Sequence, residues 1–322
     1  MAMELIYTST ERGLRPGSRG FCTVAYTQGM PVELVQILEA LSAYKNLYPV
    51  HDARAAMNPQ AYTHFGYTVK CQNFNIVSRV GPTQADQTQR DNKLGHHVAL
   101  ARRDLVPAGP ARLAAAEGMF IDQWDDDPHL IELPKELPEL PKDDGTLAQT
   151  WEMVANDPGW AGVLAYNFLS RPTAQAYIIY EPGTPVLPLI CEAMALVPPD
   201  RRWHVTFSTY FFFLPAGTTC TWRCCAADSD AAREARRQPR SLVIDLTKKL
   251  PAIQDPNPLV VCARKGLPIP EELQKAKSPE TAPGGLPQLR LPGISTGFRR
   301  SGDSPPPPST PGGFLSRWKD KQ

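Results

Sequence analysis

The chain lacks the glycine loops with which proteins usually hold nucleotides. Neither G-x-x-x-x-G-K-[S/T] nor a G-x-G-x-x-G after a strand occurs in its 322 residues. Backbone N–H groups are therefore not gathered by the turns that bring them close to phosphates, and the chain is not expected to hydrolyse ATP or GTP itself. No H-E-x-x-H zinc helix is present, and no nucleophile elbow is set between a strand and a helix. No run approaches the roughly 20 apolar residues of a membrane span. The start, MAMELIYTST, has neither a basic region nor an apolar core, so it does not read as a secretory signal, and a cytoplasmic location is expected. Net charge is nearly absent at +1, which argues against a generally basic nucleic-acid binder. Seven cysteines are an odd number without a secretory context, which favours reduced thiols over a disulfide framework.

What is abundant is proline, 34 residues, beside 22 glycines. A content of 42% hydrophobic and 21% charged residues is globular, but that much proline implies some unpacked chain. The length favours two domains, each able to bury its own core. The first is organised around Leu5 to Leu41: a strand Leu5–Tyr7, a Gly13–Gly20 loop, a strand Phe21–Tyr26, and a helix with Pro31 at its first position and Leu34, Leu38 and Leu41 on one face. After a turn-rich connection from Asn46 to Gln60, Tyr62–Val80 reads as two strands and His97–Ala101 as a fifth. Ala111–Met119 reads as a short helix, and the acidic, proline-bearing Asp125–Asp144 as a connector.

The second part reads as α/β: helices Leu147–Ala155 and Trp160–Leu169, a strand Ala176–Tyr180, a helix Leu187–Leu196, then strands His204–Phe212, Thr219–Cys225 and Leu242–Leu246. From about Lys265 the apolar pattern stops and proline clusters, the composition of a disordered tail. The expectation is thus an α/β protein: residues 1–141 with a mainly antiparallel sheet and a packed helix, residues 142–263 as an α/β domain, and residues 264–322 as a disordered, proline-rich tail.

Few residues carry overt chemistry. Cys22 is a candidate nucleophile with His64, His96 or His97 as its base, since a thiolate needs a neighbouring imidazole or similar cation. Its position inside a strand, between Phe21 and Thr23, points instead to a packed, inert thiol. His96 and His97 are adjacent, so in a strand they face opposite ways, one to the core and one to solvent. Cys220, Cys224, Cys225 and His204 offer four soft ligands but not the C-x-x-C knuckle of a zinc site. Asp125, Asp126 and Asp127 read as a solvated loop, and Arg233, Arg236, Arg237 and Arg240 as a helix face balanced by Asp228, Asp230 and Glu234. No cofactor or metal is expected. At the end of the chain Phe314, Leu315 and Trp318 would form one apolar stripe in a helix, a candidate docking motif for a protein partner.

The segments GFCTVAYTQGMPVELVQILEALSAYKN, RDNKLGHHVAL and RRWHVTFSTYFFFLPAGTTCTWRC resemble the bacterial GTPase-associated protein family of predicted conflict systems. The first two look like its type-2 N-terminal domain and the third like its middle domain, covering Leu5 to Leu246. The resemblance implies a non-catalytic adaptor that works through protein contacts with a GTPase and other components of a larger system. The family's frequent third domain has no counterpart in the proline-rich tail. The alternative from the residues alone is a cryptic thiol- or metal-dependent hydrolase built on Cys22 and the histidines.

Overall fold

The opening unit forms as its apolar alternation requires. In a computed structural model that describes residues 2–49, 51–83, 92–140, 145–254 and 256–275, β1 (Met3–Thr10) pairs antiparallel with β2 (Gly20–Thr27), Leu5 facing Tyr26 and Thr10 facing Gly20. α1 (Val32–Leu41) follows and buries Leu34, Val35, Leu38 and Leu41. The Pro31 carbonyl receives the Val35 N–H, so Pro31 precedes the first turn as its cap and is not the first helical residue.

β3 (Ala61–Val69) and β4 (Gln72–Thr83) form a long hairpin. Its turn places Lys70 and Cys71 at φ 48° and 65°. Two left-handed residues suit the right-handed twist of the flanking strands, and here neither is glycine. β5 (Asn92–Leu100) lies between β4 and β1, and β6 (His129–Ile131) adds a three-residue edge to β2 inside the expected connector. Between them, α2 (Pro110–Ala114) is shorter than the Ala111–Met119 helix expected.

The second part supplies α3 (Gln149–Ala155), α4 (Gly159–Ser170), β7 (Ala176–Tyr180), α5 (Val186–Ala195), β8 (Phe207–Ser208), β9 (Trp222–Ala226), α6 (Asp230–Ala235) and β10 (Leu242–Asp245). Of the expected strand His204–Phe212 only Phe207 and Ser208 pair. Pro198 and Pro199 start a tight 3-10 turn through His204, and the Arg202 guanidinium fastens it to the carbonyls of Ala195, Val197 and Pro107.

The parallel strands β10, β7, β9 and β8 meet the antiparallel ones where β8 pairs with β3, giving one ten-stranded sheet in the order β10-β7-β9-β8-β3-β4-β5-β1-β2-β6. The two halves therefore do not bury separate cores. One cluster holds Leu5, Leu38 and Phe74 together with Ile179 and Cys225. Helices cover both faces: α3, α4 and α5 pack around Trp151, Phe168, Ile178 and Trp222, while α1 and α6 lie on the other side. All five residues of β7 are consequently buried, as in a sheet covered on both faces.

Order also continues past Lys265, where unpacked chain was expected. α7 (Pro258–Lys265) is capped by the Asn257 side chain and ends on left-handed Gly266. Ile269 is buried, and α8 (Glu271–Lys275) follows. Residues 276–322 lie outside the described residues.

α7 seats on α4 through missing side chains. A Cβ on Gly162 would stand 2.5 Å from the Leu259 carbonyl carbon and oxygen, which are backbone atoms that cannot turn away. Gly162→Ala is therefore expected to lower stability by about 1–3 kcal/mol or more, despite alanine's better helix propensity. A denaturant midpoint equal to or above that of the parent would overturn this close packing.

Candidate functional site

The buried polar groups are the first place to look for chemistry, and each of the three histidines named above is tied down. His97 on β5 faces α1. Its Nε2 is 2.7 Å from Ser42 Oγ and its Nδ1 2.8 Å from Ser78 Oγ. Ser42 already donates its hydroxyl to the Leu38 carbonyl, so His97 donates from Nε2 and accepts from Ser78 at Nδ1. Burial pushes its pKa down to about 3. His96 faces the other way but is equally buried, because that side of the sheet is covered as well; no imidazole of the pair reaches solvent as expected. Its Nδ1 accepts the Ile121 N–H, which leaves Nε2–H to donate to Glu4 Oε2 at 2.8 Å. Burial would raise Glu4, but that hydrogen bond and the nearby Lys135 ammonium outweigh it and hold the carboxyl below its ordinary range. His64 on β3 donates Nδ1–H to the Val205 carbonyl and has Asn75 on Nε2, with burial lowering it to about 4.

Cys22 does not meet any of them. It lies on β2 opposite Thr8, half-buried where full burial was expected, since the Gly20 end of this edge is left uncovered by β6. Its thiol contacts the Gly20 carbonyl at 3.2 Å, and burial raises its pKa. A nucleophile and base are not assembled here: the thiol is poorly ionised, and each imidazole's nitrogens are engaged elsewhere.

The cysteines of the second part are likewise divided. Cys224 and Cys225 project from opposite faces of β9 into different clusters, while His204 is exposed. Burial pushes Cys220 and Cys225 up to about 12. Among the described residues no three His, Cys, Asp or Glu side chains are grouped to hold a metal ion. Asp125, Asp126 and Asp127 sit on an exposed loop. Arg233 pairs with Asp230, and Arg236 with Asp245 at 3.0 Å, so half of the arginine cluster is neutralised within its own surroundings.

In open parallel sheets the usual binding crevice lies beyond the carboxyl ends of the strands, where the winding direction reverses. Here that point is between β7 and β9: β7 leads through α5 to β8, and β9 leads through α6 on the opposite face to β10. The residues just after α1 fill the vicinity. Tyr44 packs on Tyr210 with ring centres 5.7 Å apart, the Tyr210 hydroxyl donates to the Lys45 carbonyl, and Lys45 reaches Asp230 at 3.7 Å. Tyr180, at the end of β7, is buried with its hydroxyl unpaired. Tyr44 and Lys45 fall between the expected helix and the Asn46–Gln60 connector, and nothing in the sequence reading marked this plug.

An open feature lies close to the second part's helices. A groove of about 340 Å³ runs between the corner joining α3 to α4 and the segment Leu246–Ala252, with Trp160, Lys248 and Lys249 on its walls. The docking candidates Phe314, Leu315 and Trp318 lie outside the described residues. So does the string Gly293-Ile-Ser295-Thr-Gly297, which spells G-x-S-x-G.

Two family models match this chain. Residues 1–141 match the N-terminal domain, type 2, of GTPase-associated protein 1, and residues 148–248 match the middle domain of GTPase-associated protein 1. No curated protein and no solved structure matches. Among the described residues no helix is long and apolar enough to cross a membrane.

Two outcomes follow from the buried groups. Unfolded imidazoles take up a proton near pH 6.5, whereas folded His97 and His64 stay neutral to about 3 and about 4. The unfolded state therefore binds more protons throughout this window, and stability falls as pH drops from about 6.5 to about 4, by an amount on the order of a few kcal/mol. Urea unfolding at several pH values measures it. His97→Gln should flatten the dependence, and a parent midpoint constant across the window would refute it. Tyr180→Phe removes an unpaired hydroxyl and should leave the melting temperature unchanged or raised; a loss above about 1 kcal/mol would reveal a hidden partner for that oxygen.

Proposed function

We propose that this chain is a non-catalytic adaptor that works with a partner GTPase through protein contacts, within a bacterial conflict or signalling system in the cytoplasm. The observation that carries this reading is the use made of the buried chemistry. Each histidine and thiol first considered for catalysis serves as a structural hydrogen bond or as packing, while two consecutive segments match domains of a GTPase-associated protein. The filled crevice supports the same conclusion, because the position at which a parallel sheet would ordinarily admit a small substrate is occupied by the chain's own tyrosines. The sequence's want of a phosphate loop agrees with a partner that supplies the nucleotide chemistry.

The hydrolase alternative has no geometric support: Cys22 has no imidazole among its contacts, and its thiol is shifted away from the thiolate.

The chain alone should neither turn over GTP nor show a micromolar GTP site by calorimetry. When purified with a tag from its native host, it should bring down a GTPase in stoichiometric amount, and the reconstituted pair should co-elute on gel filtration. GTP turnover by the isolated chain, or a native complex containing no GTPase, would overturn the adaptor reading.

A further inference from the structure

The groove at the α3–α4 corner carries positive charge that the fold does not consume. Asp157, its one acid, is spent: the carboxylate takes two hydrogen bonds from the Arg264 guanidinium, at 2.8 and 2.5 Å, and caps the Gly159 N–H at the start of α4. On the opposite wall Lys248 shares Asp245 with Arg236, at 3.6 and 3.0 Å, so two cations rest on one carboxylate. Lys249 is exposed and has no ion-pair partner among the described residues. Between these walls lie half-buried Trp160, Leu246 and Leu250. An apolar bed with an excess of cations along one rim is complementary to a chain segment that alternates acidic and large apolar side chains.

We propose that this groove docks an extended acidic segment of a protein partner, seating one aromatic or branched aliphatic side chain against Trp160 and a carboxylate between Lys248 and Lys249. Its volume of about 340 Å³ is at the small end of ligand pockets and open to solvent on one side, which suits one or two side chains better than a whole cofactor. A half-buried tryptophan beside exposed cations is also the composition of an interface anchor with a polar rim. The groove belongs to the docked arrangement of both helices, since Arg264, which neutralises Asp157, comes from α7. The inference deepens the adaptor reading by giving it a contact surface, and it rests on that reading for the identity of the partner but not for the chemistry of the groove.

The test is selection of a displayed random-peptide library on the full chain, with W160A and K249E as counter-screens. Lys249 is exposed, so K249E leaves the core untouched, and melting curves of W160A establish that it is folded. Selected peptides should place an Asp or Glu within a few residues of an aromatic residue or leucine. Synthesised individually, they should bind the parent, weaken about tenfold or more with either substitution, and weaken further as salt rises. Three results overturn the proposal: no enriched family, peptides that bind both variants as tightly as the parent, or displacement of the peptides by inorganic phosphate alone at equal affinity. A GTPase still recovered by K249E while the selection fails would remove the groove and leave the adaptor. Groove-bound peptides with no GTPase recovered from the host would do the reverse.

Discussion

Two residue pairs, Thr63 with Ser208 and His64 with Phe207, hold the antiparallel and parallel parts of this protein in one sheet. The seam is reinforced where the strand ends. Thr209 donates its N–H to the Tyr62 carbonyl, its hydroxyl oxygen accepts the Tyr62 N–H, and His64 reaches past the ladder to the Val205 carbonyl. A seam this short could not hold by strand pairing alone. It is held by the burial of Phe207 and by packing of the His64 ring against Trp203.

Joining the halves has a chemical consequence. A sheet with helices on both faces leaves little solvent-facing surface for polar side chains, so most polar groups in the central strands are satisfied inside, the Tyr180 hydroxyl and the Trp222 indole N–H being exceptions. His96 and His97 show this most plainly: adjacent residues pointing to opposite faces each found a complete set of partners, one in Glu4 and Ile121, the other in two serines. Groups fixed in this way gain a defined tautomer and lose availability. The same pressure acts on the thiols of β9, which become small apolar groups.

Most of the element pattern was readable because it rests on local periodicity. The leucines of α1 gave the helix directly, and the stretch Tyr62–Val80 gave the two strands of the hairpin. What could not be read were facts created by contacts distant in sequence. Nothing local in Phe207 and Ser208 announces that they pair with β3 rather than extend a long strand, and nothing in Tyr44 and Lys45 indicates that they will fill a crevice formed by strands more than a hundred residues later. His96 was assigned to opposite surroundings from His97 for the same reason, since strand geometry fixes direction but not what lies there. The groove residues escaped notice because Trp160 entered only as the start of a helix, and nothing in the sequence set Lys248 and Lys249 beside it.

The seam also sets an order on synthesis. Tyr62 and Thr209 are separated by 147 residues, which at about 5–20 residues per second amounts to roughly 7–30 s between the appearance of one partner and the other. For that time the outer edge of β3, nine residues with neither lysine nor proline to guard it, has no neighbour from its own chain. During synthesis the first half thus presents an open pairing edge until β8 emerges.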